Sequence, residues 1–214
     1  AVANCTHSYL ESFYYEDDDS RLKWVEGYEP AFQTDLALDH LERKAGEKAP
    51  FFLTLSWGTP HDPYQEMPAE HAEKYRWEDI EYLPNNSPYE PSEVKVAKRK
   101  MLAGYYAHIT ALDGQLGRLL RFLDETSDPR APDKRLAETT IVVFGSDHGD
   151  MLGSHGQYFK SQPHKESTGV PLIVRWPGRV PAGRCSDGPI SLVDLMPSLL
   201  SLSGVETPPQ AEGE

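Results

Sequence analysis

The chain has 214 residues, 38% hydrophobic and 26% charged, with a formal net charge of −13. That length and apolar content suit one soluble domain with a sizeable core, or one large piece of a bigger domain. The acidity argues against a nucleic-acid backbone as partner, and no run approaches the ~18 apolar residues of a membrane span.

A small anionic substrate stays open, because a metal or a few local cations can invert the field in a cleft. Cys5 and Cys185 are too few and too far apart to suggest a disulfide framework, and no C-x-x-C pair exists. Residues 1–30 are aromatic and acidic, and Asp17–Asp19 reads as a solvated loop. A helix is expected from Thr34 to Lys48, with Thr34 as N-cap, Leu36, Leu38 and Leu41 on its apolar face, and a stop near Gly46. Phe51–Trp57 follows as a near-continuous apolar strand. Helix then strand at this spacing is half of a βαβ unit and argues for a parallel sheet.

Residues 65–91, rich in Pro, Glu, Tyr and Asn, read as a long surface excursion with one short helix near Ala69–Tyr75. The longest helical pattern runs from Ser92 to Glu125, with Leu102, Tyr105, Ile109, Leu112, Leu116, Leu119 and Leu123 recurring at three- and four-residue steps. His108 falls off that stripe and, with Asp113, reads as a surface or cap-side polar group. Ser127–Arg135 is a turn. Thr140–Phe144 reads as a buried parallel strand, 169–178 as another buried strand, and Ile190–Leu202 as an apolar helix closed by Gly204.

Chemistry concentrates where strands stop. His61 stands between Pro60 and Pro63, directly after the Phe51–Trp57 run, so its backbone direction is fixed as a catalytic or anion-binding imidazole requires. The alternative is a loop histidine bonded to a neighbour. Asp147 and His148 follow the 140–144 run, where ligands bind in open α/β sheets. Adjacent side chains within a strand point apart, so the two converge on one ion only if the backbone turns, which Gly149 permits. An oxygen and a nitrogen donor suit a divalent cation, yet two ligands do not complete a site. The other reading is a helix N-cap with a structural histidine. Lys160 lies beyond a glycine-rich loop that can fold the ammonium back into the same cleft, or leave it as a solvated surface charge. His155 and His164 share that loop.

The segments SDHGDMLGSHGQYFKSQPHKESTGVPLIVRWPG, FFLTLSWGTPHDPY, GYYAHITALDGQLGRLL and SLVDLMPSLLSLSG together resemble the sulfatase family of the alkaline-phosphatase superfamily. The resemblance covers most of residues 30–205. It implies an α/β fold with a mixed, mostly parallel sheet flanked by helices. It also implies hydrolysis of a sulfate monoester, aryl or carbohydrate, at a divalent metal, usually calcium, with magnesium and manganese as alternatives. Carried over by position, Asp147 and His148 match a pair of metal ligands, Lys160 the lysine that holds the sulfate group, and His61 the histidine that contacts it and protonates the leaving alcohol. A monoester that passes negative charge to its leaving oxygen calls for cations and a proton donor around it.

The family's nucleophile is a formylglycine made from a cysteine or serine in a C/S-x-P/A-x-R motif, and neither Cys5 nor Cys185 sits in one. The paired N-terminal aspartates of the metal shell are not matched either, and Gly169 stands where many relatives carry arginine. The expectation is therefore the central to C-terminal part of one catalytic domain, incomplete at both ends and inactive alone for want of its nucleophile. A phosphonate or phosphate monoester hydrolase of the same superfamily, or a non-catalytic binding protein that keeps the fold, are the rival readings. The family suggests a periplasmic or secreted enzyme.

Overall fold

The computed structural model describes residues 8–17 and 19–213. A short antiparallel pair, β1 (Phe13–Tyr14) and β2 (Lys23–Trp24), leads into helix α1 (Glu29–Ala45). The helix starts five residues before the expected Thr34, with Pro30 in its first turn, where a missing N–H costs nothing. Thr34 lies inside the helix and caps nothing; its buried hydroxyl donates back to the Pro30 carbonyl at 2.7 Å. Of the expected apolar face, Leu41 is buried and Leu36 is exposed. The helix stops at Gly46 as expected.

Phe51–Trp57 forms neither helix nor strand, and Phe52 is 82% exposed. A β-prone run becomes a strand only when a neighbour completes its ladder, and strand pairing among the described residues is confined to three two-stranded sheets. The 65–91 excursion holds helix α2 (Ala69–Ala72) and a 3-10 turn at Trp77–Asp79. Helix α3 (Ser92–Glu125) spans the expected range.

Its buried seam differs from the expected one. Leu102, Leu112 and Leu123 are buried, but Ile109 is 44% exposed, and Ala103, Ala107 and Ala111 lie in the contact instead. Small residues at four-residue steps let the chain come close: a Cβ on Gly104 would stand 2.1 Å from the Tyr64 carbonyl oxygen. His108, expected at the surface, is fully buried. Its burial is tolerated because the Tyr28 hydroxyl reaches its Nδ1 at 2.7 Å, and the Tyr9 ring packs edge-on at 5.3 Å.

The expected turn at 127–135 is a hairpin of β3 (Ser127–Asp128) and β4 (Ala131–Arg135), followed by helix α4 (Leu136–Thr139). Next come β5 (Val142–Gly145), helix α5 (Lys165–Thr168), β6 (Leu172–Arg175) and helix α6 (Leu195–Leu202), the last entered through a 3-10 turn at Leu192–Asp194. The expected parallel strand at 140–144 is corrected. β5 pairs with β6 antiparallel, from Val142 opposite Arg175 to Gly145 opposite Leu172. Nor is β6 buried, since Ile173 is 58% exposed. Arg175 of β6 ties this sheet to α3 through Asp124 at 2.6 Å.

Three apolar clusters hold these pieces together. Tyr9, Tyr28 and Ala111 fix α1 and the N-terminal segment to α3. Tyr64, Leu102 and Leu152 gather the loops that carry the candidate site, and Leu123, Leu136 and Ala137 pack the far end of α3 on α4. No helix among the described residues is long and apolar enough to cross a membrane.

Candidate active site

His61 sits in a tight turn in which its own N–H donates to the Gly58 carbonyl at 3.2 Å and its carbonyl accepts from the Tyr9 hydroxyl at 2.9 Å. The prolyl bonds Thr59–Pro60 and Asp62–Pro63 are both cis. Ring Nδ1 lies 2.8 Å from Asp62 Oδ1 and 3.0 Å from the Asp62 carbonyl oxygen. Both partners are acceptors, so Nδ1 carries the proton and Nε2 presents a lone pair. That lone pair accepts from Lys160 Nζ, at 2.5 Å. Two of the residues singled out from sequence, 99 positions apart, therefore touch.

The segment after β5 adds His148, whose ring centroid lies 6.0 Å from that of His61 at 72° between planes. His148 Nδ1 donates to the Gly149 carbonyl at 2.8 Å, which leaves Nε2 as the basic nitrogen. Asp147 Oδ1 accepts the His148 N–H at 3.0 Å, and its Oδ2 lies 3.6 Å from His148 Nε2. An 85% exposed carboxylate and a lone-pair nitrogen this close can serve one cation, which fits a divalent metal as far as two donors go. Among the described residues, no group of three or more His, Cys, Asp or Glu is placed to hold a metal. Gly149 has a role the sequence reading did not give it. A Cβ there would stand 2.1 Å from the Glu166 carbonyl oxygen, so it permits a close crossing of two backbones.

The loop that returns Lys160 is strained. Leu152, His155, Phe159 and Ser161 all have positive φ, between 46° and 69°, alongside Gly153 and Gly156. Met151 N donates to the Phe159 carbonyl at 2.8 Å, which closes the loop one residue before Lys160. The Tyr64 hydroxyl donates to Asp150 Oδ2 at 2.7 Å and bolts the His61 turn to the segment after His148. Burial and the Asp150 carboxylate both push the Tyr64 hydroxyl up, so it stays a donor. Asp62, Tyr64 and Asp150 were not singled out from sequence. Asp62 adjoins His61 in the same Pro-flanked turn, which was the available signal; the Tyr64–Asp150 pair left none.

His155 and His164 do not join this group by any bond to it. Their rings stack at 4.3 Å and 15°, so their lone pairs run side by side and cannot converge on one ion. His155 Nε2 instead faces Glu166 Oε1 at 3.4 Å. Cys185 is an exposed free thiol, and Cys5 lies outside the described residues.

A family model described as Sulfatase matches residues 4–205. The chain is 35% identical to the ulvan-active sulfatase of Formosa agariphila over 98% of its own length and 39% of that protein's. It is 30% identical to human iduronate 2-sulfatase over 83% of its length and 40% of that protein's. A crystal structure of yidJ, a candidate sulfatase from Bacteroides fragilis, superposes with a TM-score of 0.85 at 26% identity, covering 97% of this chain and 44% of that one. The chain thus spans about two-fifths of the length of the curated relatives it matches.

Proposed function

The chain belongs to the sulfatase family, and on that premise we propose that the protein hydrolyses a sulfate monoester at the end of the β5–β6 sheet. The support is one contact, Lys160 Nζ on His61 Nε2 at 2.5 Å, with the His148 ring beside it. Cleavage of a sulfate ester drives negative charge onto the leaving oxygen, so a fixed cation and a proton donor lower its barrier most where they meet. In this reading Lys160 turns its N–H donors to the sulfate oxygens when substrate enters. His61 Nε2, protonated from solvent, gives that proton to the alcohol oxygen as its bond to sulfur breaks. The Asp62 carboxylate on Nδ1, at 2.8 Å, stabilises the imidazolium and fixes the ring's direction.

Asp147 and His148 would hold a divalent cation, with calcium as the family's usual ion, and that cation would polarise the ester oxygens as a Lewis acid. His148 is held in the ligating tautomer by its bond to the Gly149 carbonyl. The relatives named for ulvan and iduronate support a carbohydrate sulfate as the substrate class.

The deciding experiment compares turnover of 4-nitrophenyl sulfate with that of an aryl phosphonate monoester and an aryl phosphate by the full gene product. Sulfate ester turnover that exceeds both is the expected result. Preference for the phosphonate assigns the site to a phosphonate hydrolase instead, and no turnover of these esters or of a sulfated carbohydrate assigns the protein to a non-catalytic role.

A further inference from the structure

We propose that Lys98, buried in helix α3, is a positioning residue for Lys160. The inference rests on the sulfatase reading for what Lys160 does, but not for how it is held. The Lys98 side chain is 2% exposed. Its three ammonium protons are all used, on Asn86 Oδ1 at 2.7 Å, Glu90 Oε1 at 2.7 Å and the Gly153 carbonyl at 2.9 Å. The same ammonium lies 5.7 Å from the centroid of the Tyr158 ring, two residues before Lys160.

Gly153 is the near end of the strained loop. A Cβ there would stand 2.5 Å from Lys98 Cε, so the glycine and the lysine are fitted to each other. Backbone in the left-handed region persists only where its surroundings over-determine it. Four non-glycine residues of 152–161 are in that region, and they flank Lys160 on both sides. The Met151–Phe159 hydrogen bond closes the base of the loop, while Lys98 grips Gly153 and Tyr158 within it. A 34-residue helix therefore holds the Lys160 ammonium in place through a buried cation. The charge is compensated on the spot, since Glu90 supplies a carboxylate that Lys98 and Tyr82 hold below its usual range.

Lys98→Met alone would strand the Glu90 carboxylate, so the test uses Lys98→Met with Glu90→Gln, which removes both charges together. The melting temperature should return close to that of the unmutated protein. With stability restored, kcat/KM for 4-nitrophenyl sulfate should still fall about 10- to 100-fold, the scale of a misplaced reacting group. In a Lys160→Ala background the same pair should cost less than about threefold, because residues that act through one another are not additive. The ring 15N resonances of His61 should move in the Lys98/Glu90 variant as they do in Lys160→Ala. A stable Lys98/Glu90 variant with unmoved His61 resonances overturns the proposal, as does a full multiplicative loss in the Lys160→Ala background. If the protein turns over no sulfate ester, the functional reading falls, and the His61 resonances alone decide the role of Lys98.

Discussion

The Tyr64 hydroxyl donates to Asp150 Oδ2 at 2.7 Å and joins two loops that stand 86 residues apart in the chain. One loop carries His61, and the other begins at His148. Asp150 uses its second oxygen on the Leu152 N–H at 3.0 Å, so one carboxylate orients both the turn behind His61 and the start of the Lys160 loop. Tyr64→Phe keeps the ring in its cluster with Leu102 and Leu152 and deletes only the charged hydrogen bond. A loss of about 1.5–3 kcal/mol in denaturant unfolding is expected, with a parallel fall in kcat/KM. An unchanged kcat/KM would show that the two loops keep their alignment without this bond.

Leaving groups separate the tasks of His61 and Lys160. If His61 protonates the departing oxygen, His61→Ala should cost about 10²–10⁴-fold with a poor leaving group such as a sugar alcohol. It should cost far less with 4-nitrophenolate, which departs without help. Lys160→Ala should slow both substrates alike, because its charge meets the sulfate and not the alcohol. Steady-state kinetics on one aryl and one carbohydrate sulfate read both variants.

Asp147 and His148 are expected to set cation affinity. Either residue replaced by Ala should weaken calcium binding by at least about tenfold, since even partners behind the ligands cost 10–100-fold. Titration calorimetry on the metal-stripped protein measures this, and an unaltered affinity in both variants would remove the pair from the metal site.

Acid should weaken the fold through His108. Burial outweighs the Pro63 carbonyl and the Glu66 carboxylate, and pushes this ring down to about 4 from an ordinary 6.5. The unfolded chain therefore binds the extra proton first as pH falls. Stability is whole above the unfolded value, declines as pH drops from 6.5 towards 4, and levels off below. The full effect is on the order of 3 kcal/mol. Thermal melts across that window should flatten in His108→Gln, at the cost of a lower starting stability.

Gly149→Ala and Gly104→Ala both place a Cβ 2.1 Å from a backbone carbonyl oxygen. Backbone cannot swing aside as a side chain can, so each should lose about 1–3 kcal/mol. Gly149→Ala should also reduce activity, because it parts the His148 segment from the Ser167 carbonyl to which Gly149 N donates at 2.8 Å. Gly104→Ala, on the far side of Tyr64, tests packing alone by its melting temperature.

Long-period features were legible in the sequence, and partner-dependent ones were not. Helix α3 could be read from end to end, since 34 residues of three- and four-step spacing carry their own signal. Its inward face could be read only in part: Leu102, Leu112 and Leu123 are buried as the stripe implies, but Ala103, Ala107 and Ala111 share the seam, where small side chains let the neighbour come close. Thr34 misled for a related reason, as a hydroxyl that caps from outside can equally bond back from within, and Pro30 was the better sign of the start. The strand reading of Phe51–Trp57 and the parallel reading of 140–144 both assumed neighbours that composition cannot specify. At the candidate site, the turn that carries His61 and the loop that returns Lys160 were legible, because prolines and glycines mark where a chain must stop and turn. Tyr64, Asp150 and Lys98 were not, for a buried lysine looks like any other charge until its carbonyl, amide and carboxylate partners are seen together.

The antiparallel register of β5 with β6 sets Gly145 opposite Leu172, so the connection between them leaves and rejoins the sheet at one and the same rim. Asp147, His148 and Lys160 all ride on that connection. Insertions or deletions along its outer arc would therefore reshape the rim of the candidate site without shifting the ladder beneath it. Such a module can be recut while the strands that bear it stay as they are.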